Sequence, residues 1–428
     1  MKPRIHRAGG NAILVAWLLL GSFRSYALNT FTAGSGYWDA PGNWDQGYVP
    51  TNGEDVAVNG NVTQTNATAA LGAYTLMAGR THTFSGTNSA LNAVSVTLDG
   101  LVTHDANTDT NWSDGYQPDH RIWIVCSNLT LSSTGSINAN GKGYRGGYTA
   151  NIFSQAGNHG GFGPGGGGNP SGGGYGGKGG NNGGGPYGTP GGPFEPGSGG
   201  GAWMNPGGWG GGWVVIQASG LVTVSGTIRA DGGSGASAGS GGAIEISCAT
   251  FAGSGTILAR GGVPVEIAAG GGGRIAILNN PALQAELALP NVGLTADRGA
   301  GGSGVPEMGT IYLSDCRLLP ETLTTNFNGR YFGLTNWIAN DLTVSGGWIV
   351  ESDAGLQLTV SNDLTVSGSS GRLELTNAAV TVMRNVVITN GGSLYVFGGL
   401  TNPAAGTNYG GRVTIWQDLV VAPGSRLY

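Results

Sequence analysis

Short runs with a large aliphatic side chain at every second position recur along the chain. Ala243-Ile244-Glu245-Ile246, Arg274-Ile275-Ala276-Ile277 and Thr310-Ile311-Tyr312-Leu313 are the clearest, and Ile122-Trp123-Ile124-Val125 and Trp213-Val214-Val215-Ile216 resemble them. A period of two marks strands with one face turned inward. The pattern predicts Ile244 and Ile246 pointing inward, Glu245 outward, and Ile275 with Ile277 stacked above them.

The segments between these runs repeat as well. Gly135-Ser136-Ile137-Asn138-Ala139-Asn140-Gly141 returns as Gly226-Thr227-Ile228-Arg229-Ala230-Asp231-Gly232 and as Gly255-Thr256-Ile257-Leu258-Ala259-Arg260-Gly261, with a weaker copy at Ala296-Asp297-Arg298-Gly299. Ala230 and Ala259 lie 29 residues apart, and Ile244 and Ile275 lie 31 apart. In the last quarter, Asn340-Asp341-Leu342-Thr343-Val344 recurs 22 residues later as Asn362-Asp363-Leu364-Thr365-Val366, with looser copies at Asn385-Val386-Val387-Ile388 and Gln417-Asp418-Leu419-Val420-Val421. Near the start, Asn43-Trp44-Asp45-Gln46-Gly47-Tyr48-Val49-Pro50 and Asn111-Trp112-Ser113-Asp114-Gly115-Tyr116-Gln117-Pro118 share five of eight positions. Both lead into an apolar run, and an aromatic at such a corner can cover the end of a strand stack.

A unit of this length with two or three short strands cannot bury its own apolar face. Stacked at ~4.8 Å, neighbouring units share one inner column. The expected fold is therefore all-β, a parallel β-solenoid of the single-stranded right-handed β-helix type with a glycine-rich loop insertion. An antiparallel sandwich ranks second, since it does not require strand-turn units of similar sequence.

The ends and the composition set the domain plan. Lys2, Arg4, His6 and Arg7 precede an apolar run from Ala12 to Leu20, and Ser25-Tyr26-Ala27 supplies small residues for a cut. That is a signal peptide over residues 1–27, with an uncleaved anchor as the competing reading; no later stretch is long and apolar enough to span a membrane. A β-rich cap with the first coils is expected over 28–125, glycine-rich coils over 126–318, and C-terminal coils over 319–428 that stop in mid-repeat. Such a stop reads as a coil capped by association or as a truncated chain. From Gly157 to Gly212, 30 of 56 residues are glycine, interspersed with Phe162, Tyr175, Tyr187, Phe194, Trp203 and Trp209 and followed by Trp213. This reads as glycine-rich loops pinned by aromatics on the solenoid flank, with disorder of part of the segment as the competing reading.

Charge narrows the function classes. Charged residues make up 10% of the chain and the net charge is -5, so there is neither a basic footprint for nucleic acid nor a polybasic membrane patch. Three cysteines, Cys126, Cys248 and Cys316, each end a strand-like run and read as buried unpaired residues.

Catalytic motifs dissolve into composition. Gly235-Ala236-Ser237-Ala238-Gly239 has the letters of a nucleophile elbow, but no helix follows it. Gly163 to Gly168 matches a dinucleotide fingerprint for the same trivial reason, and the Gly-Lys pairs at 141 and 177 lack the Ser or Thr of a phosphate loop. Asp105-Ala106-Asn107-Thr108-Asp109 starts like a calcium loop, yet Thr110 stands where glycine is needed and Tyr116 where the bidentate Glu belongs, so a polar loop with Asx-turns is the better account. Asn140, Asp231, Arg260 and Asp297 occupy equivalent turn positions and would stack as a column of alternating charge. A structural ladder is favoured there over a glycan-cleaving cluster. No catalytic, cofactor-binding or metal-binding residue is assigned.

The chain resembles the secreted glycine-rich β-helix proteins of environmental bacteria. Gly-Gly-Ala-Ile-Glu-Ile at 241, Gly-Thr-Ile-x-Ala at 226 and 255, and Gly-Gly-Gly-Arg-Ile-Ala-Ile at 271 carry the likeness. The Asn-Trp to Pro unit is similar to the opening of autotransporter-associated strand-repeat proteins. The resemblance implies an extracellular or cell-surface solenoid and transfers no catalytic residue. The expected function is structural or adhesive, without enzyme activity or cofactor. The alternative is a β-helix that binds or degrades extracellular polysaccharide, and the expected partners are such polysaccharides or other surface proteins.

Overall fold

The computed structural model describes residues 28–148, 160–351, 355–376, 378–398 and 411–428. The signal peptide expected over residues 1–27 lies outside the described residues, as do residues 157–159 of the glycine-rich insertion. Among the described residues nearly all regular structure is β, and helix is confined to the four-residue turn Pro281–Gln284 and short 3-10 turns.

The strands form open sheets in which the ladders are parallel. A sixteen-stranded sheet, here the long sheet, runs from Asn29–Phe31 to Arg426–Leu427. An eight-stranded sheet accompanies it from Ser35–Tyr37 to Gly293–Thr295. Beyond that point two other sheets replace it. One has five strands, from Thr322–Leu323 to Leu419–Val421, and one has four, from Asn336–Ala339 to Arg412–Ile415.

Register explains the core. Ile122, Val214, Ile244, Ile275, Ile311 and Tyr331 pair in one line across the long sheet, and Ile124, Ile216, Ile246, Ile277 and Leu313 form a second line two residues on. All are fully buried, while Glu245 between them turns outward. The repeated turn contributes the opposing wall. Val102, Ile137, Ile228, Ile257 and Leu294 align in the eight-stranded sheet, and Ala139, Ala230, Ala259 and Ala296 are buried beside them. A single apolar cluster thus extends from Phe31 to Leu394. Each such aliphatic side chain is worth roughly 1.5–3 kcal/mol by burial.

The first strand is closed off by the Asn43–Pro50 segment. Trp44 bridges antiparallel to Phe31, its ring packs edge-on against Phe31 and Trp38, and Asp45 Oδ1 accepts from Thr30 N at 2.8 Å. The bonding groups of that edge are therefore covered rather than open. The second copy, Asn111–Pro118, does a different job. It sits in the loop between Leu101–His104 and Ile122–Leu131, where Tyr144 Oη donates to Tyr116 O at 2.6 Å.

The glycine-rich insertion has no strand ladder, but its described part is not loose. Its segments run side by side and exchange backbone bonds, as in Gly143 N to Gly210 O (2.7 Å), Gly174 N to Gly165 O (2.8 Å) and Gly184 N to Gly172 O (3.0 Å). Buried amides need such partners. A Cβ on Gly184 would lie 1.8 Å from Gly165 O, so only glycine allows this approach. The slab also bonds to the turns of later units, through Gly173 N to Ala238 O and Gly176 N to Gly272 O.

The slab covers the outer face of the long sheet. Tyr175, Trp213, Val215 and Ala243 form a second apolar cluster there, with Trp123 and Tyr187 at its rim. The expected aromatic pinning holds for Tyr175 and Phe162, both buried, whereas Phe194 and Trp203 are exposed. Arg274, only 4% exposed, ties slab to sheet: Nε donates to Tyr187 O (2.9 Å), Nη1 to Thr310 Oγ1 (2.9 Å), and the guanidinium faces the Tyr175 ring at 5.2 Å.

Candidate binding groove

The Ala-x-Gly turns stack into a column along the corner that leads into the long sheet. With the alanine packed inward, the next residue must point out, which brings Asn140, Asp231, Arg260 and Asp297 into line. Their side chains staple one unit to the next. Asn140 Oδ1 accepts from Asp231 N at 2.7 Å, and Asp231 Oδ1 accepts from Arg260 N at 2.8 Å. Arg260 Nη2 meets Asp231 Oδ2 at 2.8 Å, and Asp297 Oδ2 accepts from Asn328 Nδ2 at 3.0 Å. The predicted column therefore exists, and its two carboxylates act as acceptors for the neighbouring unit, Asp231 for a backbone amide and Asp297 for a side-chain amide.

Three adjoining hollows run along this corner, of about 440, 520 and 260 Å3. The first two share Asp297 to Ala300, and Arg298 borders all three. Arg229, Arg260, Arg298, Arg330 and Arg372 line the combined groove. Much of the floor is glycine, including Gly261, Gly262, Gly299 and Gly301, so backbone rather than side chain faces a ligand. Arg330 faces Glu307 at 3.9 Å, and Arg372 pairs with Glu374. The arrangement can bind by charge and hydrogen bonding. Among the described residues it contains no histidine or cysteine, and no aromatic ring lines it.

The other sequence candidates fall elsewhere. Ser237 is fully buried within the stacked turns, out of reach of a substrate. Two oxygens of the Asp105–Asp109 loop go to nearby amides, Asp109 Oδ1 accepting from Asn111 N and Asn107 Oδ1 from Asp119 N, both at 2.7 Å, while Asp109 Oδ2 is buried without a partner among the described residues. Among the described residues no cluster of three or more His, Cys, Asp or Glu could hold a metal ion. Cys126 and Cys248 are buried free thiols, with burial pushing each up to about 12, while Cys316 is only half-buried.

Sequence reasoning missed a second polar cluster under the slab. Burial raises the carboxyls of Glu195 and Glu245 above the usual range, although the Arg274 charge partly offsets the effect at Glu195. Tyr187 Oη donates to Pro196 O at 2.6 Å and accepts from Ser198 Oγ at 2.9 Å. The glycine tract hid these residues, because nothing in its composition indicates which segments lie side by side. Arg229 was also missed, although its position two residues before Asp231 on an outward-facing period was available. No family model matches this chain, and comparison with curated proteins and with solved structures finds no similar one.

Proposed function

We propose that the parallel sheets are the faces of a right-handed, single-stranded β-solenoid, and that the protein is a secreted or cell-surface structural or adhesive element without catalytic activity. One observation carries this reading: the long sheet is unbroken from one end of the described chain to the other, with its neighbours in chain order. Parallel neighbours joined by crossovers are almost always right-handed. Fourteen successive strands along the sheet's main path would make a rod roughly 60 Å long at ~4.8 Å per unit. Export is supported by the basic start, the apolar run and the Ser25-Tyr26-Ala27 site. The bounds 28–125, 126–318 and 319–428, and the kinship with glycine-rich β-helix proteins, belong to the same proposal.

A second reading, binding or cleavage of extracellular polysaccharide, is favoured in its binding half by the groove. Its acidic side chains already serve the stacking of units, which suits recognition better than acid–base chemistry. The test is a polysaccharide panel read for retention and for released reducing ends, with cell fractionation in parallel. Retention without new reducing ends, and a surface or medium fraction lacking residues 1–27, are expected. New reducing ends that vanish in Asp231→Asn or Arg260→Gln would overturn the non-catalytic reading. A protein confined to the cell interior would overturn the surface role.

A further inference from the structure

We propose that the corner groove is a binding site for one class of ligand, a linear acidic polysaccharide bearing carboxylate or sulfate groups. The inference rests on the adhesive reading above and specifies what is held.

Shape comes first. Two of the hollows follow each other along the stacked corners, from Asn140 through Asp231, Arg260 and Asp297 to Gly346 and Ser370, and the third lies beside the second of them at Arg298, Val305 and Pro306. Seven stacked units at ~4.8 Å make this roughly 30 Å long. A groove this long and shallow, floored by glycine, fits an extended chain rather than a compact small molecule.

Charge sets the class. The whole chain carries 19 Lys and Arg against 24 Asp and Glu, whereas this groove is bordered by five arginines against four acids, Asp231, Asp297, Glu307 and Glu374. The Arg229 guanidinium makes no hydrogen bond or ion pair among the described residues, and the Arg260 side chain remains 43% exposed despite its pair with Asp231. The acids are committed to partners within the protein: Asp231 holds Arg260, Asp297 Oδ2 holds Asn328 Nδ2, Glu307 Oε2 accepts from Lys178 N at 3.2 Å and faces Arg330, and Glu374 pairs with Arg372, which leaves Arg229 and the exposed part of Arg260 as the open charge. The Asp231 side chain is only 11% exposed. What a ligand meets is therefore mainly guanidinium, whose planar fork matches carboxylate and sulfate oxygens.

The lining also disfavours other ligands. Among the described residues no aromatic ring of the lining offers a platform for stacking a neutral sugar or an unpaired base. The apolar side chains present, such as Val263, Val305 and Met308, sit at the margins of a polar groove.

The test uses the full chain as exported, titrated with polygalacturonate, with dextran as the neutral probe and duplex DNA as the competing polyanion. Polygalacturonate should bind and weaken about tenfold or more between 50 and 200 mM salt, as expected when several phosphate-like contacts release counterions. Arg229→Gln with Arg298→Gln should weaken it about tenfold at an unchanged melting temperature. Asp231→Asn keeps the acceptor for Arg260 N and frees the guanidinium, so it should tighten binding several-fold. Equal affinity for dextran would overturn the acidic class while leaving the adhesive reading in place. Tighter binding to DNA would assign the groove to nucleic acid and overturn it as well. Polygalacturonate binding indifferent to all three substitutions would remove the groove from the proposal, and a folded chain that retains no polysaccharide of the panel would end the adhesive reading with it.

Discussion

Two stretches of the molecule solve the same packing problem differently. In the middle, Trp213–Ala218 is buried at each of its first four positions, and Arg274–Leu278 likewise. In the last quarter, Gln357–Val360 and Leu364–Ser367 alternate between buried and open positions. Both present one face to the shared core. The difference lies outside: the middle strands carry the glycine slab on their outer face, whereas the later strands meet water there. A strand covered on both sides reads as a continuous apolar run, and one covered on a single side alternates. The corners differ too. Both regions carry a ladder of side-chain oxygens that accept from an amide of the next unit, Asn140 and Asp231 in the middle and Asp341, Asp363 and Asn385 in the last quarter, but the middle adds backbone-to-backbone bonds among glycines.

Acid should separate the two regions most strongly. His82 stacks between Trp38 and Phe84, and His104 receives Trp213 N while its other ring nitrogen meets Asp105 O at 2.7 Å. Burial lowers both imidazoles to about 3. The unfolded chain protonates them near 6.5, so it binds more protons than the folded chain below that value. Their contribution is complete above about pH 6.5 and is lost as pH falls towards about 3. At pH 5 the two histidines together should cost roughly 4 kcal/mol. Glu195 and Glu245 act in the opposite sense: their raised carboxyls hold protons longer when folded, so their penalty eases as pH falls through the carboxylate range. The last quarter contains no histidine. Hydrogen exchange between pH 7 and 5 should therefore show protection lost around residues 82–104 before residues 357–389; simultaneous loss would contradict this account.

Crowding the slab tests the second difference. In Gly184→Val the first side-chain carbon meets backbone at 1.8 Å, which neither side can yield cheaply. A loss of about 3 kcal/mol is expected, since overpacking of this kind costs roughly that much. Gly168→Ala, with open space around it, should stay within about 0.5 kcal/mol. Denaturant midpoints of the pair would settle whether the slab is a packed layer. Next in size is Arg274→Leu, which strands the Tyr187 and Gly188 carbonyls that the guanidinium now satisfies. Roughly 2 kcal/mol is expected from lost charged hydrogen bonds, with the exchange of slab amides rising before that of the late strands.

How much of this was legible depends on where the information sits. Inward alternation at Ile244, Ile246, Ile275 and Ile277, the stacking of the Ala-x-Gly turns and the Asn140 to Asp297 column all followed from repeat spacing, because one period fixes both burial and register. The slab did not follow. Glycines at 143, 165, 184 and 210 carry no side chain to mark who meets whom, so their partners are set only by the three-dimensional path. The two Asn-Trp units read alike, yet among the described residues it is Asn43–Pro50 that lies against a sheet edge, because Asn29–Phe31 is the outermost described strand of the long sheet.

The smallest effect bears on why aspartate and asparagine recur at the corners of the last quarter. Asp363 Oδ1 accepts both the amide and the side-chain Nδ2 of Asn385 at 3.0 Å, while Asp363 N donates to Asp341 Oδ1 at 3.2 Å. Charge adds little at so open a position, with Arg384 Nε 3.9 Å away and about half exposed. If the acceptor is what matters, Asp363→Ala should cost about 1 kcal/mol, the usual worth of such a bond. Asp363→Asn keeps an oxygen in place and also relieves repulsion from Asp341 in the neighbouring unit, so it should match the parent within about 0.5 kcal/mol. Thermal unfolding of the two variants at low and high salt separates the explanations. A deficit in Asn as large as in Ala, shrinking with salt, would mean that the corner is held by ion pairing; equality of Asn with the parent would mean that an oxygen facing the next unit's amide holds the corner, as Asn140 and Asp231 do in the middle.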